Sequence, residues 1–190
     1  MPGTTLILYL AGVVPALLLL VAGVSHLAHP TSLADDLRQQ GLVPRRAVAA
    51  TTVALPVVEV ALGLAVVAAV HGWTTVPGTA PLAGTAALYA AFACYTVTLL
   101  RRRDGRGVPC GCAATGADVT GVVPLRAATL ACLALGALMT SPSASAWPAP
   151  ELLMAGLATA TFTVLLWTLP SALAQTGRAN TKERGDVVHG

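Results

Sequence analysis

The sequence LAGTAALYAAFACYTVTLL, residues 82–100, runs without a break into RRRDGRGVPCGC, residues 101–112. The first stretch carries no charged side chain and, at about 1.5 Å of helical rise per residue, is long enough to cross ~30 Å of hydrocarbon. The second packs Arg101, Arg102, Arg103 and Arg106 against a Cys-Gly-Cys. An apolar run that ends abruptly in arginine reads as a membrane span meeting a water–lipid boundary. That reading decides the fold class: an all-α, polytopic transmembrane helical bundle.

Four more spans extend from it. Leu6 to Leu27 is the first; no basic residue precedes it, its apolar run is longer than a signal peptide's, and no small-x-small cleavage pattern follows, so it is expected to remain as a helix. Pro15 should bend it rather than end it. Pro30 stops the helix, and Thr31 to Arg46, with Asp35, Asp36, Arg38, Arg45 and Arg46, is expected to form a short interfacial helix. Residues 47–70, 122–140 and 152–169 supply the second, fourth and fifth spans. Residues 1–170 thus form one transmembrane domain, and 171–190 read as a polar, disordered tail.

Composition agrees. Of 190 residues 55% are hydrophobic and 10% charged, against about 25% charged in soluble domains; mean hydropathy is +0.74. Ala, Val, Leu and Gly dominate, and small residues allow helices to approach closely in lipid. The net charge of +3 is too small and too confined to loops to argue for nucleic acid. Its distribution speaks to orientation instead. The connections after spans one and three carry three and four basic residues, the tail carries three, and the connections after spans two and four carry none. A multi-pass cell-membrane protein with its N-terminus out, and its C-terminus and Cys110/Cys112 loop cytoplasmic, satisfies that alternation.

Cys110, Gly111 and Cys112 form the first candidate site. Two thiols separated by one residue close only a small, strained disulfide, glycine between them permits the backbone angles, and strain favours exchange over permanent bracing. The neighbouring arginines favour the thiolate. The plain alternative is two loop cysteines beside arginines that serve topology alone. A structural zinc site is disfavoured, since it wants four ligands and the loop offers two. Glu59 is the second candidate, because an acid inside a span is costly unless paired or wetted. His26 and Arg126, near the ends of their spans on the same expected side, are its candidate partners. A structural Glu59–Arg126 ion pair is the competing reading, as is His26 snorkelling at the interface. Cys94 and Cys132, inside spans, read as small core hydrophobes. His71 reads as an ordinary loop residue and Trp147 as an interface anchor. No phosphate-cradling glycine loop, His-Glu-x-x-His or nucleophile elbow is present.

Three segments together resemble the MauE/DoxX group of redox-associated membrane proteins, MauE in particular: residues 22–30 (AGVSHLAHP), residues 55–63 (LPVVEVALG), and residues 109–112 (PCGC) followed by Arg126. The resemblance covers about residues 6–140, a four-span core, and leaves the fifth span outside. The group often has Lys where His26 stands, an aromatic-Gly pair where Ala113-Ala114 stand, and Asn where Ala127 stands. The resemblance implies support of thiol–disulfide chemistry, with Cys110 and Cys112 as the redox pair and Glu59, Arg126 and His26 as an intramembrane polar cluster that orients the loop or moves protons. It implies a role in maturing a client such as methylamine dehydrogenase, with a thioredoxin-like partner; no bound cofactor is evident, and a lipid quinone is a possible electron partner. A non-enzymatic scaffold, or a small-molecule or ion carrier using Glu59, are the alternatives that the residues leave open.

Overall fold

The computed structural model describes residues 3–75, 77–102, 120–140 and 147–188, with side chains described as far as residue 169. Six helices follow in chain order: α1 (Gly3–Ala28), α2 (Pro30–Gln40), α3 (Arg45–Val70), α4 (Thr79–Arg102), α5 (Val122–Thr140) and α6 (Ala149–Val188). All but α2 are long and apolar enough to cross a membrane, α6 over Ala149–Leu169. No strand occurs among the described residues. The expected all-α bundle of five spans is therefore the architecture observed. The helix α6 continues to Val188, through residues that the sequence pattern assigns to a tail.

Proline marks where these helices begin. Pro30, Pro81, Pro124 and Pro150 each lie in the first turn of their helix, where the missing N–H has no intrahelical acceptor to lose. Pro15 and Pro56 are different: they sit inside α1 and α3, fully buried, and neither ends its helix. Bundle contacts support the first of them, as the buried Tyr89 hydroxyl of α4 donates to the Pro15 carbonyl at 2.9 Å. Threonine hydroxyls inside spans are mostly satisfied by their own helix; Thr52, Thr96, Thr129 and Thr159 donate to the carbonyl four residues back. In lipid, where no water competes, that local bond lets a hydroxyl sit in a span at little cost.

The helix α1 is the central post. It packs against α3, α5 and α6 and touches α2 and α4, while the other major pairing is α4 with α5. The α1–α3 seam is antiparallel and close because of two glycines. A Cβ on Gly63 would lie 2.6 Å from Leu20 Cγ and 2.7 Å from the Ala16 carbonyl; one on Gly23 would lie 2.8 Å from Val60 and 3.0 Å from Glu59 Cβ. Nothing larger than hydrogen fits at either point.

Three apolar clusters stack along the bundle. Tyr9, Val13, Val66, Val70, Leu82, Ala137 and Ala155 close the end opposite the arginines. Val14, Leu18, Leu19, Tyr89 and Leu130 fill the middle. Leu33 and Leu37 of α2 then lie on Val48 of α3, docking the short helix where the arginine-bearing connections emerge. A short helix is thus present within the expected stretch, over Pro30–Gln40 and not as far as Arg46, because Arg45 and Arg46 already belong to α3. Gln40, buried at the end of α2, accepts a 2.6 Å bond from the Tyr95 hydroxyl and ties α2 to α4.

Gly63→Val should destabilise the purified protein by about 1–3 kcal/mol through overpacking of the seam. Gly136→Ala on α5, where an added Cβ meets nothing within 4 Å, should leave stability unchanged or raise it. Thermal unfolding in a mild detergent distinguishes the two.

Candidate functional site

Glu59 sits about midway along α3, on the buried stripe that also carries Pro56, Gly63 and Val66. It is 1% exposed. Its position follows from the seam: Gly23 of α1 leaves room at the same level, and the Glu59 side chain passes directly beside it. Its Oε2 is buried and has no hydrogen-bond partner. The cost of placing a carboxyl at such a depth in a span is on the order of 3 kcal/mol, and no ion pair among the described residues offsets it.

The partners anticipated from the pattern do not reach it. Arg126 is half-buried on the second turn of α5, and no ion pair joins it to Glu59. A structural Glu59–Arg126 pair is thus not formed. The two belong to different helix pairs, Glu59 to the α1–α3 seam and Arg126 to α5, which packs chiefly on α4. His26 is half-buried one turn past Gly23 on α1, toward the arginine-bearing end, and it too makes no bond to Oε2. Its neighbour His29 hydrogen-bonds through Nδ1 to the Ser25 carbonyl at 3.1 Å. At the same end Arg38 pairs with Asp35 at 2.7 Å on the exposed side of α2, and burial, then the Asp35 charge, pushes the Asp36 carboxyl above its usual range.

Cys110 and Cys112 lie outside the described residues. What is described are the ends of their loop: Arg101 and Arg102 close α4, and Thr120 precedes α5. Because α4 and α5 pack on each other along their length, the loop springs from a helical hairpin at the arginine-bearing end. Cys94 and Cys132 are free and exposed on the outer surface of α4 and α5. This corrects the reading of them as core residues. In a soluble protein an interior position and an apolar surrounding coincide; in a bilayer a thiol on the outer surface of a span is also surrounded by hydrocarbon, so hydrophobicity does not tell the two apart.

A cluster at the opposite end had no sequence signal that singled it out. The Tyr9 and His71 rings meet edge to face at 6.1 Å, His71 stacks on Trp73 at 5.0 Å, and Tyr9 lies against Trp147 at 4.9 Å. His71 Nδ1 lies 2.9 Å from the Val67 carbonyl, which only accepts, so Nδ1 carries the hydrogen and Nε2 is left to accept from the Tyr9 hydroxyl at 3.4 Å. His71 is therefore more than a loop residue: it joins the end of α3 to the first turns of α1. Trp147 anchors α6 to the same tyrosine.

Five helices long and apolar enough to cross a membrane, with one buried acid among the described residues, define a multi-pass helical membrane protein. The chain belongs to the MauE family: the family model for methylamine utilisation protein MauE matches residues 4–140, from α1 to the end of α5 and across both loop cysteines. The helix α6 lies beyond the matched residues. Neither the curated proteins nor the solved structures yield a match.

Tyr9→Phe, which removes only the long bond to His71, should cost no more than about 1 kcal/mol. Tyr9→Ala, which empties a 3% exposed site, should cost about 3–5 kcal/mol. Unfolding of both variants against wild type checks the ranking.

Proposed function

We propose that the protein is a membrane accessory of methylamine utilisation that supports thiol–disulfide exchange through Cys110 and Cys112. The observation that carries this reading is the MauE match, whose residues 4–140 take in the Cys-Gly-Cys together with α1 to α5. The client would be an enzyme of methylamine oxidation whose disulfides must form during maturation, with a thioredoxin-like protein as intermediary. In each cycle a client dithiol is oxidised to a disulfide while the Cys110–Cys112 disulfide is reduced to two thiols. Two electrons and two protons must then leave the loop.

The placement of the other cysteines bears on where those electrons go. A relay through buried thiols finds no support in Cys94 and Cys132, which face outward. A quinone dissolved in the bilayer is the acceptor in keeping with a bundle whose described flanks are mostly apolar and carry both span thiols; it takes up the two electrons and two protons and becomes a quinol. The arginine distribution puts the Cys110/Cys112 loop on the cytoplasmic side, so a client outside the cytoplasm would be served through the bundle or through the partner protein.

Replacing both Cys110 and Cys112 by Ser should abolish complementation of a deletion strain while membrane insertion is unchanged. Thiol trapping in intact cells should show the wild-type pair cycling between oxidised and reduced forms. Full complementation by the double variant would instead leave the protein as a scaffold.

A further inference from the structure

The Glu59 carboxyl is an unexplained expense in the bundle. It is buried to 1% exposure, and among the described residues its Oε2 has no donor and the carboxyl no ion-pair partner. A negative charge in that setting is paid for by nothing on the neighbouring helices. Among the described side chains, the titratable groups of the helices around it are Tyr9 and His26 on α1, Asp35, Asp36 and Arg38 on α2, Tyr89, Cys94, Tyr95, Arg101 and Arg102 on α4, and Arg126 and Cys132 on α5. Of these, Tyr89 donates to the Pro15 carbonyl and Tyr95 to Gln40, and none bonds to Oε2.

The two directions along the seam from Glu59 differ. Toward the Tyr9 end, the seam closes at once: Gly63 is clamped between Leu20 and the Ala16 carbonyl, and Leu18, Leu19 and Val66 beyond it are at most 1% exposed. Toward the arginine-bearing end, Gly23 lies beside Glu59, and His26 follows three residues later on the same side of α1, about 4.5 Å farther along its axis. His26 is half-buried, so its ring spans the distance between the seam and the boundary.

We infer that Glu59 is a proton-binding site in the interior of the bundle, and that its proton exchanges with water at the arginine-bearing end by way of His26. Water protonates one imidazole nitrogen, the other nitrogen releases its proton toward Glu59 Oε2, and the reverse sequence returns it; the carboxyl is neutral when loaded and anionic when emptied. Access from one side only makes this a storage site and not a channel. The inference does not rest on the thiol chemistry and survives its failure.

Infrared difference spectroscopy of the purified protein reads the site directly. Wild type should show the carbonyl stretch of a protonated carboxyl at neutral pH, absent from the isosteric Glu59→Gln variant, and shifting down on transfer to D2O. His26→Leu should retain the band but slow its D2O shift several-fold. No such band in wild type, or the same band persisting in Glu59→Gln, overturns the proton site. An unchanged exchange rate in His26→Leu overturns the route.

Discussion

The close approach of α1 and α3 is the constraint on which the rest of the structure depends. Lipid offers no hydrophobic drive for one apolar helix to seek another, so association rests on contact distance. Gly23 and Gly63 supply it, each bringing a backbone within reach of the facing side chains. With α3 held there, α2 finds Val48 to dock on, the end of α3 places His71 under Tyr9, and Glu59 is sealed. A seam one methyl wider would open all three.

Much of this was legible in the sequence because hydrocarbon is an unforgiving solvent. The five spans and the short helix after the first follow from length and charge alone, and residues 122–140 were delimited to the residue. Glu59 stood out for the same reason: a single acid among twenty apolar residues is visible without any structure. The family, too, could be recognised from three short motifs, and the match extends over the same four spans.

What the pattern could not convey was facing. Polarity separates inside from outside in water, but within a membrane both sides of a helix are apolar, so Cys94 and Cys132 gave no clue that they point outward. For the same reason Glu59 and Arg126, both anomalous, looked like natural partners although they serve different helix pairs. The Tyr9–His71 contact bridges 62 residues of chain, and neither residue is unusual at its own position.

The central position of α1 has a consequence for how the chain enters the membrane. The helix that touches every other one is synthesised ahead of the helices that it touches, so it enters the bilayer before them. Its composition suits that interval, since between Leu6 and Val24 the buried Tyr9 is its one polar side chain. The acid arrives only with α3, into a bilayer that already holds Gly23. Order of synthesis thus matches order of need: the tolerant helix waits, and the helix with a burden inserts beside a prepared surface.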